Sequence, residues 1–228
     1  MRPRHSFLCA LVIAACAAPP PEANIRPGIN DDYTKPDLDV DVLVKRFEAE
    51  SREVFVERAA IARAVGLAAG MGVADIGAGT GLFADFFARD VGPAGRVFAV
   101  EIAPKLVEHL RQRAAARHQP QLQAVLCTAH DVGLPAGSVD VVFTCDTYHH
   151  FEYPRSTLAS IHRALRPGGS FVVLDFERIP GVSRQWTLDH VRCGKQQVIA
   201  EVTAAGFAVV EEVPLALREN YFLRFRKL

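Results

Sequence analysis

The sequence predicts an α/β fold built on a doubly wound, largely parallel sheet. Apolar strand-like runs alternate with segments of helical spacing along most of the chain. The strand runs are continuously apolar rather than alternating, as expected where a parallel sheet is covered on both faces. The first run, Val73-Ala74-Asp75-Ile76, opens directly into Gly77-Ala78-Gly79-Thr80-Gly81 and then a helical stretch from Leu82 to Arg89. A strand, a glycine-rich turn and a helix together make a cradle for a nucleotide-like ligand.

The remaining elements follow in order. Val40 to Leu67 reads as two helices or one bent helix leading into the first strand. Further strands are expected at Val97–Val100, Gln123–Leu126, Val139–Thr144, Ser170–Leu174, Ala208–Val213 and Tyr221–Arg226. Helices are expected at Lys105–Ala116, Arg155–Leu165 and Asp189–Ala205. The alternation fits an open sheet with helices on both faces.

Composition narrows the function. The chain has 228 residues, enough for one α/β domain with a sizeable core. It carries 26 basic and 26 acidic residues with no basic block, so the electrostatic footprint of a nucleic-acid binder is missing.

Residues 1–16 read as a leader, not as fold. Arg2 and Arg4 precede the short apolar run from Phe7 to Ala15, and Ile13-Ala14-Ala15-Cys16 resembles a bacterial lipoprotein cleavage box with Cys16 as the lipidated residue. Residues 17–32, with Pro19, Pro20, Pro21 and Pro27, suit a tether, and the domain is expected from residue 33 to 228. Beyond Cys9 and Cys16 the cysteines are Cys127, Cys145 and Cys193, whose spacing implies neither a disulfide framework nor a metal site.

Three further pieces complete the pattern. Glu101 ends the second strand, about twenty residues past Gly81, where an acid can accept both hydroxyls of a ribose. His130-Asp131 precedes Leu134-Pro135, and Asp146-Thr147-Tyr148-His149-His150 follows the fourth strand at the carboxyl edge of the sheet. Leu165-Arg166-Pro167-Gly168-Gly169 reads as a structural turn before the fifth strand.

In order and spacing these motifs resemble class I S-adenosylmethionine (SAM) methyltransferases, in particular the ubiquinone/menaquinone C-methyltransferase-like, small-molecule type. The resemblance spans about 33 to 228. It implies a Rossmann-like seven-stranded sheet with the last strand antiparallel, SAM as cofactor, and a small-molecule methyl acceptor. Carried onto this chain, Asp75, Gly77, Ala78, Gly79 and Gly81 form the loop beneath the methionine part of SAM, and Glu101 with Ile102 faces the ribose. Asp131, or His130 in its place, faces the adenine, because the usual acid lies four residues before the Leu, where this chain has His130. Asp146 joins the cofactor set. His149 and His150 are the candidate bases, needed only if the acceptor must lose a proton. Tyr33, Tyr148, Trp186, His190, Arg192 and Lys195 are candidates for the acceptor pocket. The glycine spacing differs from the dinucleotide pattern G-x-G-x-x-G, which counts against a nicotinamide-dependent oxidoreductase. A catalytically silent, lipid-anchored SAM-binding protein is a further reading. The leader points to a membrane-anchored or periplasmic location, whereas SAM supply points to the cytoplasm.

Overall fold

A computed structural model describes residues 21–228. Cys16 and the leader lie outside the described residues. The elements run α1 (Asp31–Thr34), α2 (Val40–Phe47), α3 (Glu53–Val56), α4 (Arg58–Val65), β1 (Gly72–Ile76), α5 (Ala84–Val91), β2 (Arg96–Glu101), α6 (Pro104–Ala116), β3 (Leu122–Leu126) and β4 (Val139–Cys145). A single 3-10 turn (Tyr148–His150) follows. Then come α7 (Pro154–Ala164), β5 (Leu165–Phe176), α8 (Gln185–His190), α9 (Lys195–Ala204), β6 (Phe207–Glu212) and β7 (Asn220–Lys227).

The seven strands form one sheet in the order β3-β2-β1-β4-β5-β7-β6. β1 to β5 pair in parallel, and β7 runs antiparallel to both β5 and β6. This is the expected topology. Adjacent residues of β1 serve opposite layers: Ala74 and Ile76 pack with Leu158, Ile161 and Val202, whereas Val73 packs with Ile61, Phe87 and Leu110. Apolar side chains on both faces explain why the strand runs are unbroken in sequence. The order reverses between β1 and β4, so their carboxyl ends flank the crevice where open α/β sheets take ligands.

Three local differences from the sequence expectations have physical causes. Residues 22–32 are docked on the domain rather than forming a free tether. Glu22 accepts the backbone N–H groups of Arg155 and Ser156 at 2.7 and 2.8 Å, a carboxylate on the otherwise unpaired N–H groups that open α7. Asn24 and Ile25 then bond Glu152. Second, the helix expected over Asp189–Ala205 is broken. Val191 is extended, and the chain resumes as α9 only after Gly194. Third, the Pro167-Gly168-Gly169 turn lies within β5 as an irregularity, where the pairing jumps from Val139–Leu165 to Val141–Ser170. A Cβ on Gly169 would stand 2.9 Å from the Asp140 carbonyl oxygen, so this crossing needs glycine. No helix among the described residues is long and apolar enough to cross a membrane.

Candidate active site

A cavity of about 390 Å³ opens at the carboxyl ends of β1, β2 and β4. Its floor is the loop after β1. Gly77 and Ala78 donate their N–H groups to the Val100 carbonyl at 2.8 and 3.1 Å, which pins the loop to β2. Gly77, Gly79 and Gly81 all have positive φ, a conformation strained for other residues. Their roles differ. Gly77 and Gly79 line the cavity, and a Cβ on Gly77 would overlap Thr147. Gly81 does not line it. A Cβ there would stand 2.9 Å from Leu110 and 3.2 Å from Arg113, so Gly81 lets α6 pack against the loop.

Glu101 organises this floor. Its Oε2 accepts from Gly79 N at 3.0 Å, and its Oε1 accepts from Ile102 N at 2.7 Å and Ala103 N at 3.1 Å. Burial pushes its carboxyl above the ordinary range, and these three N–H groups pull it back. A carboxylate offers about four acceptor sites, so capacity remains for a ligand hydroxyl. Asp75 is 2% exposed, and its Oδ2 is buried with no hydrogen-bond partner. Burial, with the Glu101 charge adding, pushes it up to about 8. An orphaned carboxylate oxygen at a cavity wall calls for a cationic or hydrogen-donating ligand group.

Asp146 also lines the cavity, at a left-handed φ of 48°. Its carboxylate pairs with Arg52 and accepts from Asn220 Nδ2 at 2.6 Å. Arg52 also donates to the Phe47 carbonyl at 3.0 Å and so ties the N-terminal helices to this edge.

The residues expected near an adenine lie elsewhere. Asp131 accepts from Gly133 N and pairs with the exposed Arg163, and His130 stacks on Tyr153 with ring centroids 3.8 Å apart. Neither lines the cavity. Cys127, Thr128 and Ala129, immediately after β3, line it there. The turn between Thr128 and Asp131 rotates the next two side chains outward, because Thr128 Oγ1 accepts from Asp131 N and the Asp131 carbonyl accepts from Thr128 N. Burial pushes the Cys127 thiol up to about 12, so it serves as an apolar wall and not as a nucleophile.

The same cavity is also lined by His149, His150, His190, Trp186 and Tyr33. His149 and Asp175 are each 2% exposed, and His149 Nδ1 lies 2.7 Å from Asp175 Oδ1. Asp175 Oδ2 also accepts the His149 backbone N–H at 3.1 Å. His150 meets Tyr33 edge-on, with centroids 5.5 Å apart, and Trp186 stacks on His190 at 4.7 Å. Burial, reinforced by His149 and His190, pushes His150 down to about 2, so it is a weak base.

Three expected pocket residues fall outside it. Tyr148 is fully buried and donates to Glu201 Oε2 at 2.7 Å. Arg192 makes two bonds to the same Glu201, at 2.8 and 2.9 Å, over the Tyr148 ring. Lys195 is held between Glu177 and Glu212 at 2.6 and 2.9 Å. The helix break separates these two cations from His190. Asp175, Asn30, Thr147 and Asn220 escaped sequence reasoning. Asp175 alone carried a signal, since an acid ending an apolar strand is the pattern that marks Asp75 and Glu101.

Residues 74–173 match the family model described as "Methyltransferase domain". Over these residues the chain is similar to a methyltransferase domain. It is 31% identical over 155 residues to an uncharacterised 37.1 kDa protein of transposon Tn4556 from Streptomyces fradiae, covering 62% of this chain and 44% of that protein. It is 31% identical over 114 residues to the ubiquinone/menaquinone biosynthesis C-methyltransferase UbiE of Cupriavidus taiwanensis, covering 50% of this chain and 46% of that one. The chain thus spans less than half the length of these relatives. A SAM-dependent methyltransferase from Aquifex aeolicus shares the fold, with a TM-score of 0.74 at 19% identity, over 83% of this chain and 99% of that one. The cavity's floor suits SAM. The orphaned Asp75 oxygen matches an ammonium, and Glu101 retains acceptor capacity for ribose hydroxyls.

Proposed function

We propose that this chain transfers a methyl group from SAM to a small-molecule acceptor by in-line displacement. SAM, when bound, supplies a methyl activated on a sulfonium. In this reading Asp75 holds the methionine ammonium, Glu101 and Ile102 hold the ribose, and Gly77, Ala78 and Gly79 pass beneath the methionine. Asp146 braces the same edge through Arg52. The wall after β3 takes the adenine role expected of Asp131 or His130.

The observation that carries the proposal is that one continuous cavity joins this floor to the histidines. Catalysis there is mainly positioning and exclusion of water. A carboxylate only accepts, so His149 Nδ1 carries a proton toward Asp175 and Nε2 is the ring nitrogen without that partner. His149 is therefore the better candidate to orient the acceptor or take its proton, and His150 shapes the pocket beside it. Trp186, His190 and Tyr33 supply an aromatic wall suited to a flat or apolar acceptor.

Thermal shift with SAM, S-adenosylhomocysteine and NAD tests the cofactor. Stabilisation by the first two is expected, and stabilisation by NAD alone would overturn the proposal. Incubation with labelled SAM and a broad metabolite extract tests transfer. Label in a small molecule is expected. No transfer, with SAM bound, would leave a silent binding protein.

We further propose that residues 1–16 are a leader whose Cys16 is acylated. Metabolic labelling with a fatty acid should mark the wild type and not Cys16→Ser. An unlabelled wild type with an intact N-terminus would sink this.

A further inference from the structure

His149, His150 and His190 each bring a ring nitrogen to a common point, all within 4.8 Å of one another. Contacts from outside the cluster set how two of these rings face. Asp175 fixes a proton on His149 Nδ1, so Nε2 is the ring nitrogen available to ligate. Asn30 does the same for His150. Its Nδ2 donates to the His150 carbonyl at 3.1 Å and to Glu152 Oε2 at 3.2 Å, so Oδ1 is the atom 3.2 Å from His150 Nδ1. That nitrogen must donate, and His150 Nε2 is left with its lone pair, 3.3 Å from His190 Nε2.

Two nitrogens on one tetrahedral ion, each about 2.1 Å from it, stand about 3.4 Å apart. The His150–His190 separation already matches. All three nitrogens lie within 4.8 Å of one another, so closure on a common ion needs a shift of at most about 1.4 Å, which side chains commonly make on binding. Rings held from behind by a carboxylate and an amide are the usual setting of ligating histidines.

We propose that His149, His150 and His190 bind one divalent transition ion of the zinc class, with an open coordination position facing the cavity. Three neutral nitrogen donors suit such an ion and not magnesium or calcium. The open position would take an oxygen or nitrogen of the acceptor, so that with the ion bound His149 orients the acceptor through it and does not take its proton. That last step rests on the methyl-transfer reading; ion binding itself does not.

The test uses the full chain, free of any polyhistidine tag and stripped with chelator, titrated with Co²⁺ and followed by visible absorption. Expected are one Co²⁺ per chain, ligand-field bands of a four- or five-coordinate site, and their loss on adding Zn²⁺. His190→Ala, at the half-exposed end of α8, should remove the bands. Asn30→Ala should weaken binding roughly 10- to 100-fold. No saturable band, or equal binding by His190→Ala, would overturn the proposal. SAM thermal shift on the same samples reports separately on the cofactor floor, so failure of one reading is distinguishable from failure of the other.

Discussion

Glu101 Oε2 accepts the backbone N–H of Gly79 at 3.0 Å, so the acid that ends β2 also shapes the loop that ends β1. Glu101→Gln replaces one acceptor oxygen with a donor that faces an N–H group. Charge-assisted bonds are worth about 1.5–3 kcal/mol, so SAM affinity should fall roughly 10- to 150-fold. Calorimetric titration checks this. An unchanged Kd would remove Glu101 from the site.

Asp75 gives a prediction with a definite pH sign. Its folded carboxyl is pushed up to about 8 from an ordinary value of 3.8. Between those values the folded state binds the extra proton, so this group's contribution to stability falls as pH rises and levels off above about 8. Asp75→Asn abolishes that slope. Urea unfolding from pH 4 to 9 should show the wild-type-minus-variant difference declining across this window. SAM affinity should rise toward pH 8 as Asp75 ionises, then fall as an α-amino group of pKa about 7.7–8.0 loses its proton. A flat affinity profile would count against the ammonium contact.

The loop glycines should separate by phenotype. Gly81→Ala places a Cβ against Leu110 at a φ of +87°. Strain of about 1–3 kcal/mol should lower Tm by roughly 2–12 °C. Gly79→Ala shares the left-handed strain, at a φ of +56°, but its Cβ meets only Phe47 at 3.7 Å and the Gly77 carbonyl oxygen at 4.0 Å, ordinary contacts at a position that lines the cavity. It should lose SAM affinity out of proportion to stability. Scanning calorimetry with SAM titration distinguishes the two, and identical profiles would refute the division of roles.

Asp175→Asn keeps the shape of the side chain but lets an amide face His149 Nδ1. The opposite tautomer becomes available, and turnover should drop about 100-fold or more while SAM affinity holds. Single-turnover transfer from labelled SAM is the measurement. Equal turnover would leave Asp175 a purely structural partner.

Strands were legible because burial on both faces leaves an unbroken apolar run, as in Val139 to Thr144. Glu101 and Asp75 were legible because acids ending such runs stand out. The helical periodicity through Asp189–Ala205 misled because it continues across Val191–Gly194, where Gly194 and the Arg192–Glu201 pair impose a break. Arg192 reads as an acceptor-pocket cation in sequence, yet its side chain is 5% exposed and paired with Glu201. Asn30 carries no signal at all. A lone amide gains meaning only when the fold places it beside His150, 120 positions away.

The break between α8 and α9 has a consequence for how such chains diversify. Arg192 clamps the chain to Glu201 just after His190, and Lys195 fastens the start of α9 to Glu177 at the end of β5. The stretch from Arg178 to Val191, between Glu177 and Arg192, carries Trp186 and His190 yet belongs to neither the glycine floor nor the sheet. It behaves as an exchangeable cassette. Substitutions confined to it would reshape the aromatic wall and leave Gly77, Gly79 and Glu101 untouched.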